Sequence, residues 1–425
     1  MHLHIIGLGV SEAAQLDLRA QRALQSARVV IGSERQLKVV ADLIGEQQTL
    51  HLPPLLELEA QLEQWAAESI PSLVVLASGD PLYYGIGRWF GRRFSAAQLS
   101  FYPAVSSIQA ACHRLGLSLQ DVEVLSLHGR PLEKIRTQLK RNRTLVILTD
   151  KHSTPQVLAQ ECIAAGFPES ELIVCEALGY SHEKVTAYTA DLLEDSDLEF
   201  DPLHVTVIQV RGDGGILPEF PGIPDERFVT DKPDGKGMLT KREVRLAILS
   251  LMQVSKGDRV WDIGAGCGGV AVELSYWNPD SQIYAVEHHP DRLICLQQNR
   301  DRFGVVSNLN VIEGRAPDAL NDLPNPDKVF IGGSGGELER LLDQVWERLP
   351  DGGVLVASAV TETTKQSLLA FYEARMHCGD AYSQTTQIMV SRGDQLAGQL
   401  LYRPSLPVTL FRFRKTAISE ESVYE

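Results

Sequence analysis

The chain has 425 residues, 44% hydrophobic and 22% charged, a globular composition that excludes disorder at a length calling for two or three domains. Its formal charge of −15 argues against sequence-independent nucleic-acid binding, which draws on lysine and arginine. The six cysteines lie thirteen or more positions apart, so no metal site or disulfide framework is expected; without a leader-like start or a long apolar run, the chain is expected in the cytoplasm, off the membrane.

In chain order, the first half offers apolar strand candidates at 3–9, 27–32, 72–78, 99–104, 122–128, 144–150, 171–178 and 204–210, with helical patterns such as 34–45 and 107–116 between them. Gly116 and Gly166 read as glycines that end helices in the left-handed conformation. HIIGLGVSE (4–12) places Gly-x-Gly after the first strand. In ASGDPLYYGIG (77–87), Asp80 follows a strand, Pro81 suits a first helical position, and Gly85 and Gly87 permit close approach; read alone, Asp80 is also a helix N-cap candidate. FYPAVSSIQAA (101–111) sets Ser106 and Ser107 at a helix start, where free N–H groups favour polar ligand parts. Residues 212–224, GDGGILPEFPGIP, lack periodicity and read as a linker between domains 1–211 and 225–425.

The second half opens on a helix over 240–254, expected to be capped by Thr240 with Glu243 three residues on. Strands follow at 258–264, 282–287, 309–314, 328–333, 353–360, 386–392 and 408–415, and helices at 270–277, 290–303, 337–349 and from 362, the pattern of a doubly wound α/β sheet with ligands at the carboxyl ends of its strands. VWDIGAGCGG brings Gly264, Gly266 and Gly268 between a strand and a helix, and Glu287 ends the next strand nineteen residues later. Glycines let backbone approach a ligand, and an acid at that distance suits ribose hydroxyls, so a nucleoside cofactor is expected. Gly264, Gly266 and Gly269 also fit the dinucleotide pattern of an NAD-dependent oxidoreductase. Asp262, which would repel a pyrophosphate but help to hold an ammonium, and the loop EGRAPDAL (313–320), placed to flank a base, favour S-adenosylmethionine. GGSGG (332–336) is either an anion nest or a plain turn, and His288 and His289 read as cofactor-side or surface groups.

VWDIGAGCGG, Glu287, EGRAPDAL and FIGGSGGELERLL, preceded by GMLTKREVR, resemble the decarboxylating precorrin methyltransferase domain of cobalamin biosynthesis, a Rossmann-like class I fold. The resemblance implies S-adenosylmethionine contacts from Thr240, from Gly264, Ala265, Gly266, Cys267 and Gly268, from Glu287 at the ribose and from Ala316 beside adenine. Arg315 departs from it, standing where the family has an acid. GLG, GDP-xxx-G and PAVSS in this order resemble the tetrapyrrole (class III) methylases, whose two α/β lobes hold the cofactor in their cleft; Ala104 stands at a usual glycine position. Carried over, Val10, Asp80, Tyr83, Ser106, Ser107 and Thr149 are the cofactor neighbours. The two resemblances together imply methylation of a precorrin at C-5 by the first half, and at C-15 with loss of the C-12 acetate carboxyl by the second. They also imply two S-adenosylmethionine sites per chain.

Such a substrate is a small polyanion, so an acidic protein must gather cations locally. Arg88, Arg92 and Arg93, and Lys232, Lys236, Lys241, Arg242 and Arg245, are expected either to bind its carboxylates or to form solvated faces. Gly333, Ser334 and Gly335 are the nest candidates. No nucleophile–base triad is present to name as catalytic. A homo-oligomer is the expected assembly.

Overall fold

The computed structural model describes residues 1–233 and 237–417, so Lys236 lies outside the described residues. The chain divides into two compact units, Met1–Leu132 with Gln138–Gly215, and Ile216–Glu425 with Glu133–Thr137. No helix among the described residues is long and apolar enough to cross a membrane.

The first unit holds two five-stranded sheets. One joins β1 (His2–Gly7), β2 (Val29–Gly32), β3 (Gln48–His51), β4 (Ser72–Ala77) and β5 (Leu99–Tyr102) in the order β3-β2-β4-β1-β5, all parallel. Alternation along these strands serves two faces. Leu3, Ile5, Val29, Ile31, Leu73 and Val75 pack with Leu58, Leu62 and Trp65 of the helix Leu55–Ala67. Ile6, Val30, Val74 and Leu76 pack with Ala20, Ala23 and Leu24 of the helix Leu18–Ser26. Burial on both faces explains the uninterrupted apolar runs. The second sheet joins β6 (Glu123–Ser126), β7 (Thr144–Leu148), β8 (Glu171–Glu176), β9 (Lys184–Thr189) and β10 (His204–Gln209) in the order β6-β7-β10-β8-β9, with only β6 and β7 parallel. Its core takes Ile108, Ala111 and Cys112 from the helix Ser107–Leu115, which ends at Gly116 with φ +65°. Strands β3 and β9 were not expected; both are edge strands with exposed polar positions. The helix expected over 34–45 stops at Val39 and gives way to a 3-10 turn, Ala41–Leu43.

The second unit joins β11 (Arg259–Ile263), β12 (Gln282–Glu287), β13 (Leu309–Glu313), β14 (Lys328–Ile331), β15 (Val354–Ala359), β16 (Ala381–Ile388) and β19 (Val408–Lys415) in the order β13-β12-β11-β14-β15-β19-β16. The first five are parallel, and β19 is antiparallel to both β15 and β16. A hairpin of β17 (Ser391–Leu396) and β18 (Gln399–Pro404) extends from it, in place of the single strand expected at 386–392. Trp261, Ile263, Val329, Ile331, Leu355 and Ala357 meet Leu341, Val345 and Trp346 of the helix Leu338–Arg348 in the main core. The first helix runs Arg242–Met252, and its N-cap is Lys241 with no side-chain cap bond, so Thr240 is not the cap.

Candidate active sites

In the first unit a cleft of about 1230 Å³ is lined from both lobes, by Val10, Tyr83, Ser106 and Ser107 on one side and Thr149, Asp150 and His204 on the other. Glycines bring its walls together. A Cβ on Gly7 would come within 2.6 Å of Gly79 O, and one on Gly179, at φ +77°, would overlap Val10 O. Glu12 ties the lobes by accepting Ser181 N–H at 2.8 Å and Ser181 Oγ–H at 2.6 Å, bonds that hold its carboxyl below the usual range.

Two expected cofactor neighbours have scaffold duties here. Asp80 accepts Leu82 N–H at 2.8 Å, Tyr83 N–H at 3.1 Å and Ala104 N–H at 3.3 Å; it does not line the cleft but fixes the turns that do. Ser106 makes a reciprocal cap with Gln109, its hydroxyl accepting Gln109 N–H at 3.2 Å and its N–H donating to Gln109 Oε1 at 2.9 Å, and it lines the cleft together with Ser107. Thr149 Oγ1 donates to His204 O at 3.3 Å. Burial raises the Tyr83 phenol above its ordinary value, with Tyr84 second. Asp150, which the sequence did not single out, accepts Gly129 N–H at 2.8 Å and caps the turn at His152 and Ser153; these bonds, Gly129 first, pull it down to about 2. Arg88 and Arg92 are exposed and stand outside the cleft lining, and Arg93 pairs with Glu59 at 3.2 Å over the Trp89 ring. The cationic side chains on the lining are Arg35 and Lys151, found at the carboxyl ends of β2 and β7, the strand ends where such folds place ligands.

In the second unit the glycine loop leaves β11 with Gly264, Gly266 and Gly268 at φ +71°, +60° and +89°. A Cβ on Gly264 would come within 2.6 Å of Gly333 O, and one on Gly266 would overlap Met238 O. Each N–H of the loop is already bonded: Gly264 and Ala265 to Val286 O, Gly266 to the Glu287 carboxylate at 2.9 Å, Cys267 to Met238 O and Gly268 to Ala265 O. Glu287, 3% exposed, also accepts the N–H groups of His288 and His289 at 2.8 and 2.9 Å. The loop's own N–H groups are therefore taken, and donors to a phosphate would have to come from the first turn of the helix Gly269–Trp277.

Asp262 is 1% exposed, so it lies beneath the loop and not on its surface. Burial pushes the group up to about 7, opposed by the Ala271 N–H of the following helix and reinforced by Glu287, and no side chain bonds either carboxylate oxygen. Cys267 is buried beside Asp231, its thiol pushed up to about 12 by burial, which excludes it as a nucleophile. Thr240 is partly buried and gives its carbonyl to Arg245 Nη1 at 2.6 Å. Ala316 is partly buried against the main core.

Among the expected substrate cations, Arg245 is corrected by its burial. Arg245 has no exposed surface: it pairs with the equally buried Glu273 at 2.7 Å and with Asp225 at 3.0 Å, donates to Ile223 O, and stacks on Phe228. Glu273 in turn accepts the N–H groups of Gly222 and Ile223. A charge committed to four carboxylate and carbonyl partners, Thr240 O included, cannot serve a ligand. Arg242 is exposed and lies 3.9 Å from Glu243, and Lys232 is exposed; Lys241 caps the helix. The nest is also reduced, since Gly332 and Gly333 donate to Ile263 O at 2.9 and 3.3 Å, which leaves Ser334 and Gly335 to offer N–H groups from the expected set.

Comparison with known proteins follows the same division. A family model for tetrapyrrole (corrin/porphyrin) methylases matches residues 2–193, and one for a precorrin methyltransferase domain matches residues 231–415. A precorrin-6Y C(5,15)-methyltransferase [decarboxylating] of Sinorhizobium sp is 37% identical over 97% of this chain and 96% of its own. The enzyme of that name from Mycobacterium tuberculosis (strain CDC 1551 / Oshkosh) is 32% identical over 97% and 99%. A probable cobalt-precorrin-6B C(15)-methyltransferase (decarboxylating) of Pyrobaculum calidifontis matches 41% of this chain and 86% of its own at 38% identity. The chain belongs to the family of decarboxylating precorrin-6Y C(5,15)-methyltransferases.

Proposed function

We propose that this chain methylates a precorrin at C-5 in its first unit and at C-15 in its second, the second also removing carbon dioxide from the C-12 acetate, as a cytoplasmic homo-oligomer with one S-adenosylmethionine site per unit. The observation that carries the cofactor assignment is the glycine loop whose five N–H groups are all bonded internally, with Glu287 oriented at its edge. Such a loop receives a nucleoside by close approach of its backbone, with the Glu287 carboxylate placed for hydroxyl recognition. The residues present fit the cofactor on a second count. Asp262 sets a buried carboxyl group, with no side-chain partner, beneath the loop, where a cationic ligand group nearby would favour its charged form.

S-adenosylmethionine, when bound, supplies a methyl group on a cationic sulfur. The chain's own task is positioning: methyl transfer is an in-line displacement, governed by how the acceptor carbon is held. Glu287 is fixed by three N–H donors and keeps lone pairs for ribose hydroxyls, while Thr240 and Ala316 border the same end of the sheet. In the first unit Val10, Tyr83, Ser107 and Thr149 face the cleft, on turns that Asp80 and Ser106 hold.

Calorimetric titration of the full chain with S-adenosylmethionine should give two equivalents, and Gly264→Val, which drives a side chain into Gly333, should leave one. A single equivalent in the unaltered chain, or NADH binding that Gly264→Val abolishes, sinks the two-site reading.

A further inference from the structure

In the second unit β13 and β14 are not neighbours; β12 and β11 lie between them. At about 4.8 Å per strand, their ends are roughly 14 Å apart. Yet Arg315, two residues beyond β13, donates from Nη2 to Gly335 O, in the turn beyond β14, at 2.6 Å. The turns that follow β13 and β14 therefore approach one another and are joined by this side chain on the carboxyl-end side of the sheet, where the glycine loop and Glu287 also lie. The guanidinium lies against Gly335, where a Cβ would meet Nη2 at 3.1 Å and Nε at 3.4 Å.

Arg315 is exposed, and its only side-chain partner is that neutral carbonyl; no carboxylate pairs with it among the described residues. In a protein of net charge −15 this is an unspent cation on the rim of the site. Of the other candidate cations of this unit, Arg245 is committed in the interior, while Arg242 is exposed and stands 3.9 Å from Glu243.

We infer that Arg315 is a carboxylate-binding residue of the second unit, anchoring a side-chain carboxylate of the tetrapyrrole; the inference rests on the precorrin reading above. The bond to Gly335 uses one of five guanidinium N–H groups and fixes the plane, leaving donors whose fork matches a carboxylate. The carboxylate it holds is one that remains on the product. Loss of carbon dioxide leaves an electron pair on the side-chain carbon, and a cation gripping the departing carboxylate stabilises the ground state against that step.

The test uses the full chain with Arg315→Gln and Arg315→Lys, following carbon dioxide release, C-15 methylation and S-adenosylmethionine affinity, with C-5 methylation as the internal control. Arg315→Gln should raise KM for the precorrin in the second unit about 10- to 100-fold, with kcat and cofactor affinity within about twofold. It should also flatten the dependence of KM on ionic strength, and Arg315→Lys should recover part of the loss. An unchanged KM, equal behaviour of the two variants, or a loss matched by lost cofactor affinity overturns the assignment, the last pointing to a strap that only holds the turn. An unaltered chain that neither methylates nor decarboxylates a precorrin removes the underlying reading and this inference together.

Discussion

The two units differ in how deeply they set the charged side chains around their sites. In the first, the acids around the cleft are met by backbone donors: Asp80 by three N–H groups, Asp150 by Gly129, His152 and Ser153, and Glu12 by Ser181. In the second, charge also goes into the interior: Arg245 and Glu273 are fully buried as a pair, Asp262 is 1% exposed, and Glu287, met by three N–H groups, is all but covered. The first unit shapes its site with capped turns that are individually replaceable. The second hangs its site on buried groups whose neighbours depend on them.

Removing a buried partner is the sharpest way to break that contrast. Arg245→Ala leaves Glu273 without its buried countercharge and strips Asp225, Thr240 O and Ile223 O of their shared donor, so the second unit should lose about 3–5 kcal/mol in urea unfolding while the first unfolds as before. Equal loss in both units, or none, would show that the buried pair does not set the second unit's stability. Asp262 gives a graded version. Its folded value is raised to about 7 from the usual carboxylate range near 4. Between those values the folded chain keeps a proton that the unfolded chain has lost, so stability falls as pH rises, by at most about 1.4 kcal/mol per pH unit. Asp262→Asn should flatten that slope between pH 4 and 7 in thermal melts of the second unit, and weaken cofactor binding there alone. Asp150 carries the reverse sign, with stability lost only as pH falls toward 2. In the first unit, Ser106→Ala removes one cap and should cost about 1 kcal/mol, with the cleft's cofactor affinity nearly kept. A larger loss of affinity would show that the hydroxyl also reaches ligand.

What the sequence made legible were features written in local spacing. The strand, glycine loop and acid of the second unit, and the GDP and PAVSS turns of the first, lie where their order and spacing put them. The fate of Arg245 was also written there: Val244, Arg245, Ile248 and Met252 share one buried helix face, so the helical period placed this arginine inward, against the reading of the basic run as a cluster. Strands β3 and β9 escaped because edge strands carry polar residues and lack an apolar run. The β17–β18 hairpin turns on Ala397 and Gly398, at φ +50° and +79°, and an alanine in that position gives no Asn-Gly or Asp-Gly signal. Partnerships set by tertiary contact, such as Asp150 with Gly129 or Arg315 with Gly335, have no local signature at all.

The reversed direction of β19 has a practical consequence for measuring these sites. Because it runs antiparallel to β15, its last residue, Lys415, pairs back to Gly352 and Gly353 at the amino ends of the parallel strands, the far edge from the glycine loop. A fluorophore or surface tether attached just beyond Lys415 leaves the protein on the side away from the second unit's crevice. Immobilised through that point, the unit presents its ligand-binding rim outward to a flowing solution.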